Sequence, residues 1–136
     1  MTHKLTAEKA YLALDVGQKR IGVARANAVA RLPEPLEYLV NDEQVFDKIY
    51  KLTSQENIGV IVVGVPRNLN GDETSQSAEI RHFASTLKSK IDLPIEFADE
   101  SFSSKRADEY IKANKLTSVS QDSVAACFIL NEYLLK

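Results

Sequence analysis

The stretch "IGVIVVGVP", residues 58–66, is almost unbroken in apolar side chains over nine residues. It is far too short to cross a bilayer, which takes ~20 residues. A run of this length and evenness suits a β-strand covered on both faces, as in a parallel sheet. Helices must then supply the covering layers, and the rest of the chain has to be read for strands that flank this one and helices that cap it.

The flanking pattern provides them. Residues 11–15 and 20–26 read as two strands joined by a turn containing Gly17. "LPEPLEYLV" (32–40) is a third extended segment, and Pro33 and Pro35 place it at a sheet edge because they cannot donate ladder hydrogen bonds. Asn41 or Asp42 is expected to cap a helix, with Gln44 placed for a capping box. Val45, Ile49 and Leu52 give that helix one apolar face. After "RNLNGDE", a helix over about 73–91 carries Ile80, Phe83, Ala84, Leu87 and Ile91 on one stripe. "LPIEFA" (93–98) is a fifth strand. A short helix over 103–114 is expected to turn Ala107, Tyr110 and Ile111 inward, and a last helix over about 121–135 is apolar on most sides.

Three meandering strands followed by two helix-linked strands give an α/β fold with a mixed five-stranded sheet flanked by helices. Right-handed crossovers then put the first strand at the centre. This element order is that of the ribonuclease H-like fold. Residues 1–10 read as a flexible N-terminal lead, and residues 11–136 as a single domain. The lead has no apolar segment of the secretory type. One cysteine, Cys127, excludes an internal disulfide and sits in the apolar run "SVAACFIL", where it reads as core. A cytoplasmic location, with no membrane association, is the expectation. The net charge of −2 and the pI near 5.7 argue against coating nucleic acid through bulk charge, but allow a local basic patch beside an acidic site.

Acids fall at the ends of elements. Asp15 ends the first strand, where ligands of such sheets bind, although a turn aspartate would look the same. Asp99 and Glu100 end the fifth strand, and if that strand continues only one of them can face the Asp15 side. Asp122 opens the last helix, where it also favours the macrodipole. Several carboxylates at one sheet edge would repel unless a cation neutralised them. Oxygen-only donors suit Mg²⁺ or Mn²⁺, and two such ions can drive phosphodiester cleavage. Asp15, Asp99, Glu100 and Asp122 are thus the candidate metal ligands.

Basic residues surround these acids. Lys19 and Arg20 follow Asp15, and Arg25 lies on the next strand. Arg67, Asn68 and Asn70 occupy the loop after the fourth strand, and Gly71 leads toward a helix N-terminus that could take a phosphate. Arg81 lies two turns into that helix, and Lys105 and Arg106 follow the acid pair. Lys19, Arg20, Arg67, Asn70 and Arg81 are the expected substrate contacts. His3 and His82 have no acid-rich neighbours in sequence and are given no role.

Four segments in order resemble the YqgF/RuvX family of ribonuclease H-like proteins. "LALDVGQKRIGVA" resembles its opening "DxGxKRIGvA" strand pair, and "VIVVGVPRNLNGDETSQSAEIRHFASTL" its "vvGlPlxldGxexxxxxxvrxFaxxL". "FADESFSSKRA" is similar to "xxDErlsTxxA", and "QDSVAACFILNEYL" to the closing "vDsxAAxxILxxyL". The resemblance implies a metal-dependent nuclease linked to maturing the 5′ end of precursor 16S ribosomal RNA, in a family earlier suspected of resolving Holliday junctions. By motif position, Asp15, Glu100 and Asp122 take the catalytic acids, with Asp99 beside them. The chain departs from the pattern at Ser101, where arginine is common, at Ser103-Ser104, and at Arg67, where a hydrophobic residue is common.

The expected partner is nucleic acid, precursor ribosomal RNA first and branched DNA as the alternative, with the chain acting as monomer or homodimer. Junction resolution needs two facing sites and hence a dimer. An actin-like kinase also opens on a strand ending in "DxG", but it needs a duplicated domain that 136 residues do not hold. A non-catalytic nucleic-acid-binding regulator fits the acidic pI and leaves the three acids without a purpose.

Overall fold

A computed structural model describes residues 5–66, 74–100, 109, 112–113 and 121–135, with the backbone alone for Glu100 and Gln121. The elements are β1 (Ala10–Val16), β2 (Arg20–Asn27), β3 (Glu34–Val40), α1 (Val45–Gln55), β4 (Ile58–Pro66), α2 (Ser75–Lys90), β5 (Ile95–Glu100) and α3 (Gln121–Leu134). The sheet runs β3-β2-β1-β4-β5, so β1 is central and the proline-bearing β3 is an edge. β1 pairs antiparallel with β2, and β2 with β3; β1 and β4, and β4 and β5, pair parallel.

Strand alternation sorts the core into two layers. Leu12, Leu14, Ile21, Val23, Ile61, Val63 and Val65 face α1 and α2, where they meet Val45, Ile49, Ile80 and Leu87. The other face is built from smaller residues. Ala13, Ala24, Ala26 and Ala98, with Tyr11, Val60 and Val62, pack on Ala126, Cys127, Ile129, Leu130 and Tyr133 of α3. Two glycines bring α3 closer still. A Cβ at Gly64 would lie 2.3 Å from Cδ1 of Ile129, and one at Gly22 would lie 1.8 Å from the carbonyl oxygen of Asp122.

Polar contacts hold both ends of α3. Ser123 is fully buried, donates from Oγ to the Leu36 carbonyl at 2.6 Å, and accepts the Val23 N–H at 3.3 Å. At the other end, Arg31, in a left-handed backbone conformation at φ 54°, donates to the Leu134 carbonyl at 2.8 Å. Its guanidinium also lies 6.0 Å from the centroid of Tyr11, whose ring meets Tyr133 edge-on.

Several elements differ from expectation for identifiable reasons. β5 begins at Ile95 and runs through Glu100, because Pro94 has no N–H for the ladder and pairing with β4 persists to Pro66↔Glu100. The two acids therefore belong to the strand. No capping box forms on α1; the Asp42 carboxylate takes the Gln44 N–H at 3.0 Å, and Gln44 caps the helix without a side-chain bond. The capping box is on α2 instead, where Thr74 Oγ1 accepts the Ser77 N–H and Ser77 Oγ accepts the Thr74 N–H. Leu5 packs on the α3-side core, and β1 begins at Ala10, one residue before the expected start. Ala107, Tyr110 and Ile111 lie outside the described residues, while Glu109, Lys112 and Ala113 are helical. Cys127 is buried, as its apolar context predicts. Among the described residues no helix is long and apolar enough to cross a membrane.

Candidate active site

Asp15 is the penultimate residue of β1, half-buried, and directly opposite Gly22 of β2. Opposed residues of an antiparallel pair project from the same face with Cα atoms ~4.5–5.5 Å apart. Alternation from Tyr11 and Ala13 puts that face under α3. Asp122 sits in the first turn of α3, and its backbone carbonyl is the group pressed against Gly22. The missing side chain of Gly22 thus lets the start of α3 settle beside Asp15, and two carboxylate residues from opposite ends of the sequence share one end of one face.

Arg20, the first residue of β2, reaches the same place. Its Nε lies 3.4 Å from Oδ2 of Asp122, and its guanidinium carbon lies 5.3 Å from the Tyr38 ring centroid. Lys19 is exposed in the preceding turn. That turn is closed by the Gly17 N–H on the Arg20 carbonyl at 3.0 Å. Asn41 braces it from β3's end, donating its backbone N–H to the Lys19 carbonyl at 2.9 Å and its side-chain amide to the Gly17 carbonyl at 2.8 Å. Asn41 was read from the sequence as a helix cap; its partner lies 24 residues away, a separation no local pattern carries.

The register of β5 separates the remaining acids. Ala98 lies opposite Gly64 and packs in the α3-side cluster, so position 100, opposite Pro66, falls on the α3 face by alternation. Asp99, opposite Val65, falls on the α1–α2 face, away from Asp15 and Asp122.

Two of the basic residues are also placed elsewhere. Arg81 of α2 lies 5.0 Å from the Phe97 ring, on the α1–α2 side. Arg25 is held at the other end of β2 by Glu56, through an ion pair at 3.1 Å and contacts to its carbonyl at 3.4 Å. Its strand partner is Leu12, three residues before Asp15 and therefore about 10 Å from it. Arg67, Asn68, Asn70, Gly71, Lys105 and Arg106 lie outside the described residues. β4 itself ends at Pro66, at the same end of the sheet as Asp15. A cleft of about 390 Å³ opens on the α1–α2 side between Gly17, Gln18, Ser75 and Gln76, and does not include the acids.

Among the described residues no three carboxylate, histidine or cysteine side chains gather as a ready metal cage. Asp15 and Asp122, placed at one end of the α3 face, offer oxygen alone. An arginine already neutralises one of them. That chemistry fits a hard divalent ion such as Mg²⁺ or Mn²⁺.

A five-stranded sheet in this order, with helices on both faces, is the ribonuclease H-like fold, here with one acid ending the central strand and another opening the helix across it. Solved structures agree on the fold. Thermus thermophilus RuvC is similar with a TM-score of 0.57 at 10% identity, over 90% of this chain and 92% of that one. Fowlpox virus resolvase, solved with substrate Holliday junction DNA, is similar with a TM-score of 0.54 at 13% identity, over 93% of this chain and 99% of that one.

The chain belongs to the RuvX family, whose model, described as Holliday junction resolvase, matches residues 9–136. It is 41% identical over 129 residues to a protein of Sulfurihydrogenibium sp. named "Putative pre-16S rRNA nuclease", covering 90% of this chain and 88% of that protein. A protein of the same name from Fusobacterium nucleatum is 37% identical over 134 residues, with 93% and 96% covered. The resemblance drawn from the four motifs is borne out.

Proposed function

We propose that this chain is a divalent-metal-dependent endonuclease of the cytoplasm that hydrolyses phosphodiester bonds in structured RNA, with the 5′ end of precursor 16S ribosomal RNA as its substrate. The observation that carries the reading is the seating of Asp122's turn on Gly22, directly across from Asp15. Asp15, Asp122 and Glu100 are the metal-binding and catalytic acids. Asp99 is left out because its register puts it on the other face. When bound, Mg²⁺ or Mn²⁺ would activate the attacking water and stabilise the leaving oxygen.

The chain's own residues do the rest. Asp15 is held by the central strand and Asp122 by a helix fixed at both ends, so neither carboxylate needs to be ordered at the moment of reaction. Lys19 and Arg20 stand on a braced turn at the rim, where they can hold phosphates of the substrate backbone without reading bases. Arg67 and Asn70 follow in sequence on β4, which ends at the same end of the sheet as Asp15, and are proposed as further phosphate contacts. Arg81 is not included, given its position over Phe97.

The names of the curated relatives favour RNA. The family description and the fold likeness to resolvases favour a second reading, cleavage of four-way DNA junctions. The test is cleavage of precursor 16S ribosomal RNA and of a four-way junction side by side, with Mn²⁺ or with EDTA, by wild type and Asp15→Asn. Mn²⁺-dependent trimming of the RNA that Asp15→Asn lacks supports the proposal. Cleavage of the junction alone transfers it to DNA, and cleavage of either substrate in EDTA refutes the metal.

A further inference from the structure

We propose that Ser123 is a positioning residue for the reaction: its buried hydroxyl locks the first turn of α3 into an irregularity of the sheet and thereby fixes where the Asp122 carboxylate stands relative to Asp15. The inference rests on the assignment of Asp122 to the metal-binding acids. The pairing of β2 with β3 shifts register between Ile21 and Val23. Such a shift leaves backbone groups without their regular ladder partners. Ser123 Oγ takes up two of them, donating to the Leu36 carbonyl at 2.6 Å and accepting the Val23 N–H at 3.3 Å. The hydroxyl belongs to neither strand, so the bond joins three segments of chain: β2, β3 and α3.

The placement gives the bond its consequence. Ser123 is fully buried and adjoins Asp122, which is partly exposed. On the other side of the same turn, the Asp122 carbonyl rests on Gly22. Gly22 sets how closely the turn approaches the sheet, and Ser123 sets where along β2 and β3 it sits. A carboxylate on a helix can share an ion with one on a strand only if both coordinates are fixed to a fraction of an ångström. Alanine at position 123 removes the second and leaves the first.

The test measures the Mn²⁺ dependence of RNA cleavage and, without RNA, the Mn²⁺ dependence of the melting temperature, for wild type, Ser123→Ala, Ser123→Cys and Asp122→Asn, with Ile129→Val as a packing control on the same helix; both Mn²⁺ midpoints are expected to move together. Loss of a group that orients a metal-binding side chain typically costs 10–100-fold in metal affinity or activity. Ser123→Ala is therefore expected to raise the half-saturating Mn²⁺ concentration about tenfold, with KM for RNA unchanged. Ile129→Val should leave the Mn²⁺ midpoint where it is. Should Ser123→Ala fail to fold, Ser123→Cys leaves no cavity, being somewhat larger than serine, weakens the donor, and is expected to show the same shift in the same direction. A wild-type midpoint in the folded serine variants, with Asp122→Asn inactive, overturns the positioning role alone. Equal shifts for Ser123→Ala and Ile129→Val also overturn it, since they reduce the serine to general packing. Full cleavage by Asp122→Asn overturns the parent assignment and the inference with it.

Discussion

Arg20 holds Asp122 by its Nε at 3.4 Å while its guanidinium stays within 5.3 Å of the Tyr38 ring. The arginine side chain is 55% exposed and the aspartate 31%, so the pair contributes little to stability, of order 0–1 kcal/mol. Its meaning is electrostatic. The guanidinium neutralises the acid here. A divalent ion held by Asp122 would supply that charge instead and leave Arg20, beside the Tyr38 ring, for a substrate phosphate. Arg20→Ala should accordingly melt close to wild type, raise KM for RNA several-fold, and lower the salt slope of binding by about one. An unchanged slope places Arg20 away from phosphate.

Asp15→Asn should abolish cleavage and weaken the effect of metal on stability. A ligand that binds only the folded chain stabilises it by about 2.7 kcal/mol at one hundred times its Kd. Wild type should therefore melt higher as Mn²⁺ rises into the millimolar range, and Asp15→Asn should respond less. Equal responses in thermal melts would locate the ion elsewhere.

The two β5 acids should separate cleanly. Glu100→Gln is expected to lose cleavage by orders of magnitude, and Asp99→Asn to keep most of it, because adjacent strand positions face opposite sides of the sheet. Single-turnover rates at saturating Mn²⁺ distinguish them. The reverse order of defects would mean that the register does not persist to the end of the strand.

Gly22→Ala and Gly64→Ala are chemically identical and should differ in cost. The new methyl at 22 meets backbone of Asp122, whereas the one at 64 meets the end of the Ile129 side chain, which can change rotamer. Overpacking typically costs 1–3 kcal/mol. Gly22→Ala should fall at about the top of that range and lose cleavage, with Gly64→Ala nearer the bottom and active. Urea denaturation and initial rates check both halves.

Asp42 gives a pH signature remote from the site. The Gln44 N–H, and then the Lys48 ammonium, hold its carboxyl below the usual value of 3.8. The unfolded chain thus takes up the proton more readily than the folded one. The contribution to stability is complete above the unfolded pKa and is lost as pH falls through the lowered folded value. The stability gap between wild type and Asp42→Asn, followed by denaturant titration, should be constant from about pH 7 to pH 5 and close below about pH 4.

What the sequence disclosed was set by distance along the chain. The buried strand β4, the central β1 and the terminal acids Asp15 and Asp122 are legible because apolar runs and their ends are local. The side on which Asp99 or Glu100 falls depends on pairing with β4, which no spacing within "FADE" reveals. Arg81 read as a site residue because a helix's stripe says which of its faces is buried, but not which side of the sheet it covers. Ser123 carries no signal in the sequence, because its acceptor, Leu36, lies 87 residues away.

The two faces of the sheet differ in the size of what they bury, and this has a bearing on ion choice. Under α3 the strands present alanines and glycines, so the helix lies low. Magnesium binds oxygen at about 2.0–2.1 Å and calcium at about 2.3–2.6 Å, a difference of a few tenths of an ångström. A methyl group at Gly22 would meet the backbone of Asp122 and Ser123, which has no side chain to turn aside, and would displace the first turn of α3 by at least that much. In the proposed site, discrimination between a productive ion and an oversized one would then rest on a residue with no side chain at all, beneath the carboxylate it helps to place.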